Sequence, residues 1–585
     1  MSHANASSKT GHGPRTRRFF IVSLAASFAS GCVPYDAPVS HRLQRLIDEA
    51  GEPPRSLPLA SRDPTSLEDA TTAFIERDDA LANRSDDIDA RVLSIDDLRL
   101  TVIENNLDLR VAAFGPRLAE ESLNAERAKF DAVFVADVSY ADQDLPTGNS
   151  NIFSITSNDP ALDKGSGIFT ETEIDREVFK GGAGVGVPLP TGAEVGVKQT
   201  VEIDDKSGSG LRSSEDRAGT VFSISQPLLR GGGVAVNTAS IRLARLGVGV
   251  EAAKNKLTLI RVLANSEKAY WRLYAAQRQL DVQREQLALA IENLGVVEQL
   301  IGEGLTPPVE RFAAELAVAQ QREAMIVAET AVRLRSRDLA RTLNRADLPL
   351  GDPEAVRVAS DPALVRYMID ADSLAERALE ERLELLELEL KLAADAVKID
   401  LAENATLPVF VVDFQYGLGD RSSTIGSSLA GSYDFDNPKW AIGARAEIPI
   451  TNDAAEARYR RSLLSRLQRT ATREQKRLAI RQEVFDAADV LEQNWQRILA
   501  ARLSVIAAGA NYDAEQRLFR EGLRNAQDVL VALQQLGKAR MNEVKVIAAY
   551  QVAQIDLAYA SGTLLGYAGT EIAPEPTATP DTAPR

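Results

Sequence analysis

Two stretches, LIGEGLTPPVERFAAE (residues 300–315) and LFREGLRNAQDVLVAL (residues 518–533), carry the same Glu-Gly-Leu, with Gly304 and Gly522 218 residues apart. Each follows a long Ala/Leu-rich run and precedes another. The preceding runs share a heptad ladder. Leu273, Leu280, Leu287, Leu294 and Ile301 match Leu491, Ile498, Val505, Tyr512 and Phe519 rung for rung at the same offset. Apolar residues seven apart mean helices packed side by side in a left-handed supercoil. Glycine then turns the chain, because it enters left-handed backbone geometry without a Cβ penalty. Past the turns, Thr306 followed by Pro307, and Asn525 with Asp528 three residues on, read as helix starts. The spacing predicts one helical hairpin, made twice. Its long arm, from 237 to about 301, would run roughly 98 Å at 1.5 Å per residue. The arm from about 455 to 519 has the same count. No compact soluble domain needs helices of that length.

The duplication reaches back into strands. Leu107, Leu109 and Tyr140 match Leu383, Leu385 and Tyr416 at an offset of 276, and Pro227 matches Pro449 at 222. Each half reads helix, strand, loop, strand, very long helix, turn, returning helix. Residues 130–142, 220–229, 408–420 and 440–450 alternate apolar with polar or small side chains over about ten residues. That is the length and period of a transmembrane β-strand, and also the period of a soluble sheet with one face buried. The fall in offset makes the first half 54 residues longer across its strand region. Inside the excess, GGAGVGVPLPTGAEVGVKQTVEI (181–203) reads as a β-hairpin, 182–187 and 194–203, turning at Pro190-Thr191-Gly192. Long polar loops, 145–177 and 204–217, flank it. If the hairpin pairs into the same sheet, the first half supplies four strands and the second two. The alternative is an extracellular hairpin that never enters the membrane.

Composition narrows the chemistry. Aromatics are 5% of the 585 residues, and the Ala/Leu/Glu/Arg/Gln-rich remainder favours long helices. The histidines are His3, His12 and His41, and the sole cysteine is Cys32. This inventory excludes a Cys/His zinc site, an internal disulfide and a Ser/His/Asp or Cys/His catalytic set. No enzyme and no cofactor is called for. Gly182-Ala183-Gly184 lacks the third glycine and the helix of a dinucleotide fingerprint. A formal charge of −17 argues against nucleic acid as a partner.

The N-terminus reads as an export signal. Residues 1–31 hold Lys9, Arg15, Arg17 and Arg18 and no acid, then FFIVSLAASFASGC, too short to span a bilayer. Ala29-Ser30-Gly31-Cys32 resembles a bacterial lipobox with Ala29 in the usual leucine position, which would make Cys32 the acylated N-terminus of the mature chain. An ordinary signal peptide with an incidental cysteine is the alternative. Val33, in place of the aspartate that retains many lipoproteins at the inner membrane, suits the outer membrane. Thr16-Arg17-Arg18 also looks like a twin-arginine signal. The chain thus divides into a signal peptide (1–31), a lipidated tether (32–92), a first repeat (93–348), a linker (349–372), a second repeat (373–567) and a disordered Pro/Thr tail (568–585).

Across about 94–566 the chain resembles the TolC-like outer-membrane efflux proteins. The resemblance lies in IENNLDLR, QPLLRGGG, the WAIG…IPITNDAAEAR run and FREGL with the following Ala-Gln-Asp-Val-Leu, in duplicated order. It implies a mainly α protein with a transmembrane β-barrel portion: a homotrimer sharing one barrel above a long coiled-coil α-barrel. It implies an outer-membrane location reaching into the periplasm of a Gram-negative-type envelope. The partners it implies are outer-membrane lipid, a periplasmic adaptor and an inner-membrane transporter, for efflux or type I secretion. In familiar members each protomer gives four strands and the trimer twelve. Six would give eighteen and a wider pore. The resemblance makes the turns, with Gly304, Leu305, Gly522 and Leu523, the tip that the adaptor grips. It makes Asp528 the carboxylate ringing the closed entrance, and Arg524 and Glu310 a charge pair that locks it. Val531 replaces a second carboxylate of some members, and Phe519 a tyrosine. A non-transporting, periplasm-spanning coiled-coil lipoprotein is the competing reading.

Overall fold

The computed structural model describes residues 91–567 apart from 148–171, 209–210, 349, 352–355, 423 and 435–436. The signal peptide, Cys32, the tether up to residue 90 and the tail lie outside the described residues. What is described belongs to the unit Ile88–Arg585.

The helices are α1 (Ile95–Asn105), α2 (Leu107–Ala112), α3 (Phe114–Arg127), α4 (Val234–Asn237), α5 (Ala239–Gly302), α6 (Glu310–Leu343), α7 (Ala371–Glu381), α8 (Leu383–Asn404), α9 (Ile425–Gly431), α10 (Asp453–Arg520), α11 (Ala526–Ala560) and α12 (Leu564–Tyr567). With 64 residues, α5 is about 96 Å long. Among the described residues no helix is long and apolar enough to cross a membrane. The helices stand four abreast at two levels. Towards the turns the order is α6-α5-α11-α10, and towards the sheet it is α3-α5-α8-α10.

The heptad ladders face these contacts, with a difference. Leu273, Leu280, Leu491, Ile498, Tyr512 and Phe519 are buried. Nearer the turn, however, the buried seam of α5 passes to Gln283, Gln286, Ala290, Asn293 and Val297, leaving Leu287 and Leu294 on its flank. Close approach explains the shift. Gly537 of α11 sits so near Gln286 that a Cβ there would lie 2.8 Å from the Gln286 Oε1.

The strands are β1 (Arg91–Leu93), β2 (Val133–Thr147), β3 (Thr172–Pro188), β4 (Glu194–Gly208), β5 (Leu211–Pro227), β6 (Val356–Val358), β7 (Val409–Ser422) and β8 (Pro438–Glu447). Strands β1 and β6 make a small parallel pair that joins the start of the first repeat to the stretch expected to be a plain linker. It is fastened to α5. The Tyr270 hydroxyl donates to the Leu93 carbonyl (3.1 Å) and accepts from Ser360 N–H (3.1 Å), while Gln277 donates to the Val356 carbonyl (2.9 Å).

The other six strands form one antiparallel sheet in the order β2-β3-β4-β5-β7-β8. The Gly-rich hairpin is therefore β3 and β4, inside the sheet. Strands β2, β3, β4, β5 and β7 are longer than ten residues, and the expected polar loop 204–217 is largely ladder, β4 and β5 pairing as far as Gly208 and Leu211, while of the loop 145–177 the described residues 145–147 and 172–177 are ladder. Cross-strand charge explains the extension. Arg176 of β3 grips Asp204 of β4 with two bonds of 2.8 Å and Arg421 of β7 meets Glu215 of β5 at 2.5 Å, while Lys206 and Arg217 contact the same two acids from within their own strands, at 3.3 and 2.6 Å. At the other end β8 stops at Glu447 rather than 450, since Pro449 has no N–H to donate.

Candidate functional site

Two regions could serve a function: the turns and the sheet. The two turns are the same object. Gly304 and Gly522 both have φ +75°. Gly304 N–H donates to the Ile301 carbonyl (3.0 Å) and Leu305 N–H to Leu300 (2.9 Å). Gly522 donates to Phe519 (2.9 Å) and Leu523 to Leu518 (2.9 Å). This paired pattern closes a helix on a left-handed residue and satisfies its last carbonyls. No atom lies within 4 Å of a Cβ built on either glycine, so only the backbone resists a side chain. Gly304→Ala and Gly522→Ala should each cost about 1–2 kcal/mol, the penalty of a Cβ in left-handed geometry. Thermal unfolding of the detergent-solubilised protein would show it, and an unchanged midpoint would contradict it.

The helix starts differ from expectation. Helix α6 begins at Glu310 after a turn through Pro307 and Pro308, with Val309 at the cap position and no side-chain cap bond, so Thr306 does not cap it. Pro308 removes one of the two amides that such a cap would serve. Asn525 does occupy the cap position of α11 in extended geometry, but its side chain makes no cap bond. Asp528 lies in the first turn of α11, where the helix dipole favours a carboxylate.

Both turns lie at the same end of the helices. Ala290, Val297, Ala314, Tyr512, Phe519, Ala526, Val529 and Leu533 share one apolar cluster there. The charged residues sort as follows. Arg524 is 3.8 Å from Asp528 and 3.5 Å from Glu515. Within the chain, Arg524 is therefore engaged by those two acids rather than by Glu310, the first residue of α6. The partner Glu515 lies nine residues back on α10 and had no sequence signal. Asp528, Val531, Gln535, Lys538 and Asn542 stand three or four apart on the uncovered side of α11.

The exposed apolar side chains at this end are the other finding. Leu305 (68% exposed) and Leu523 (69%) do not fold back onto their helices, as the residue after such a turn commonly does. Val309, Phe312 and Leu316 continue the exposure along α6. Their spacing of three and four was readable in the sequence as a stripe.

The sheet has two unlike faces. Residues directly paired across strands share a face, so the registers fix one apolar row: Phe134, Val185, Val197, Phe222, Tyr416 and Trp440. Val138, Phe179, Val195, Val201, Ile224, Phe414 and Ile442 lie on the same face. The opposite face carries Asp137, Ser139, Lys180, Lys198, Thr200, Glu202, Ser223, Asp413 and Gln415. Lys180 meets Glu202 at 3.6 Å, and the Ser225 hydroxyl donates to Asp413 at 2.6 Å. Both outer strands, β2 and β8, are exposed along almost their whole length.

Residues 374–563 match the family described as OEP, outer membrane efflux protein. Among curated proteins, none matches the chain by sequence. Solved structures share its fold. The CmeC outer membrane channel of Campylobacter jejuni is 14% identical with a TM-score of 0.58, the match covering 80% of this chain and 86% of that one. The outer membrane protein VceC of Vibrio cholerae is 14% identical with a TM-score of 0.56, over 80% and 96%. The open-state MtrE outer membrane channel of Neisseria gonorrhoeae is 15% identical with a TM-score of 0.54, over 80% and 89%.

Proposed function

We propose that the chain, whose residues 374–563 match the outer membrane efflux protein family, is a TolC-like outer-membrane efflux protein, the channel-tunnel of a tripartite efflux or type I secretion system. Three copies share one β-barrel in the outer membrane, and their long helices form a passive conduit through the periplasm. The observation that carries the reading is the two-faced sheet on paired helices about 96 Å long. From Phe179 to Val187 the apolar side of β3 covers about 21 Å at a 40° tilt, close to the roughly 25 Å apolar band of outer-membrane barrels. Neither open edge of such a sheet is tolerable in lipid, because each unpaired amide or carbonyl costs several kcal/mol there. Closure against further copies removes both edges.

At the far end, exposed Leu305, Leu523, Val309 and Phe312 suit the apolar contacts of a periplasmic adaptor, which would link the tunnel to an inner-membrane transporter. Asp528 supplies the acidic ring at the entrance, and Arg524 holds it. Glu310, at the start of α6, completes the lock by meeting Arg524 of a neighbouring copy. Acylation of Cys32 adds a lipid anchor.

Planar-bilayer recording from the purified assembly tests the channel. An exposed pair such as Arg524–Asp528 is worth about 0.3–0.5 kcal/mol, so three copies bias the gate by about 1–1.5 kcal/mol, roughly tenfold in open probability. Arg524→Ser should raise conductance on that scale, and Asp528→Ala should reduce cation preference. Silence from the wild type and both variants would sink the channel and leave the structural coiled-coil lipoprotein.

A further inference from the structure

We propose that the outlet is an eighteen-stranded barrel of the same girth as the helical tunnel, with the β3–β4 hairpin built into its wall and its lumen cleared by glycine. The proposal rests on the trimeric channel above and concerns what that channel lets pass.

The hairpin's registers come first. Strands β3 and β4 pair along their lengths with β2 and β5. Val185, Val187, Val195, Val197 and Val201 all lie on the face that carries Phe134, Phe222 and Trp440. A hairpin standing in water has no reason to continue its neighbours' apolar face.

The edges come second. With six antiparallel strands, β2 and β8 run in opposite directions. The β8 edge of one copy therefore meets the β2 edge of the next in antiparallel sense, and the ring closes without an odd junction.

Width is the third argument. Six strands 4.8 Å apart at a 40° tilt span about 38 Å of circumference. Four helices at 8–10 Å spacing span about 36 Å. Four strands would span only about 25 Å. Six strands thus give each protomer one arc width from turn to sheet, and three such arcs enclose a backbone radius of about 18 Å.

The polar face is cleared to match. Gly182, Gly184, Gly196, Gly219 and Gly417 all lie on it. Lys198 lies flat across β3 to reach Asp137 at 2.5 Å. Gly182 makes the path, since a Cβ there would come 2.5 Å from the Lys198 Cε. Side chains laid along the wall, rather than pointed inward, leave the bore open. Sieving by size then falls to the tip, and the outlet passes whatever the tunnel admits.

Single cysteines in the full-length protein test this, with the unaltered chain, whose sole cysteine is Cys32, as control. Lys198→Cys and Thr200→Cys should react with a charged maleimide added outside intact cells. Val197→Cys and Val201→Cys should react only with an apolar one. A maleimide on a polymer of about 10 Å radius should still reach Lys198→Cys, because eighteen strands leave about 13 Å of free radius and twelve only about 7 Å. Equal labelling of all four positions by the charged reagent would put the hairpin outside the wall and overturn the proposal. So would exclusion of the polymer from Lys198→Cys. The mass of the purified assembly is read separately. A copy number other than three would refute the trimeric reading itself, whatever the labelling pattern.

Discussion

Arg382→Ala should be among the most damaging single changes in the helical part of the molecule, costing about 3–5 kcal/mol, the usual result of breaking a buried ion pair from one side. Arg382 sits between α7 and α8 with a side chain only 3% exposed. It binds Glu384 through two nitrogens, one at 3.2 Å, pairs with Glu483 of α10, and stacks over Tyr559 of α11 at 5.5 Å. One guanidinium thus ties the α7–α8 junction to both long helices of the second hairpin. Lysine has no planar fork and would restore only part of the loss. The effect should depend on pH. Burial disfavours the charged Glu384 carboxylate, but the Arg382 hydrogen bonds and charge outweigh this and hold its pKa below the ordinary 4.5. A depressed carboxyl pKa contributes stability that is complete above the unfolded value and lost as pH falls through the folded one. The gap between wild type and Arg382→Ala should therefore be widest near neutrality and narrow below about pH 4.5. Denaturant midpoints at two pH values would settle it. A gap independent of pH would mean that lost packing, not charge, is responsible.

Gly184→Ala should abolish or sharply reduce folded assembly, while Gly186→Ala on the same face of the same strand should be nearly silent. The two glycines are alike in sequence and differ in what a methyl would touch. At Gly184 it would lie 2.5 Å from the Val197 carbonyl and 2.9 Å from the Lys198 Cα, both backbone. The ladder between β3 and β4 would have to part. At Gly186 the nearest atom is the far end of Glu194, at 3.7 Å. Overpacking against fixed atoms costs about 1–3 kcal/mol per site, and the proposed ring of three copies would incur it three times. The yield of heat-resistant oligomer on gels measures the difference. Equal yields would mean that the hairpin backbone yields easily, and would weaken its assignment to the wall.

Much of this architecture was legible because it rests on period. The seven-residue ladders announced the helices, the repeated Glu-Gly-Leu their turns, and the changing offset the extra hairpin. What escaped depended on atoms that no period reports. The polar stretch 204–217 looked like loop by composition, yet the pairs Arg176–Asp204 and Arg421–Glu215 cross between strands and carry the ladder outward. The seam of α5 leaves its leucines where Gly537 lets Gln286 in, a feature of the opposite helix. At the tip, Arg524 and Asp528 could be singled out, but Glu515 became visible only when the fold brought α10 alongside the start of α11. The capping bonds of Thr306 and Asn525 were inferred from residue type, and the backbone at those positions does not make them.

The bare outer strands also dictate an order of events. The helical hairpins close between residues near in sequence, so one newly made chain can complete them alone and quickly. In the proposed trimer the edges of β2 and β8 find their partners only on other copies, so the last step of maturation is a collision, with a rate that rises with the number of chains present. Until that collision each chain carries two unprotected templates for mispairing. Dilute synthesis therefore prolongs the vulnerable interval and crowded synthesis shortens it.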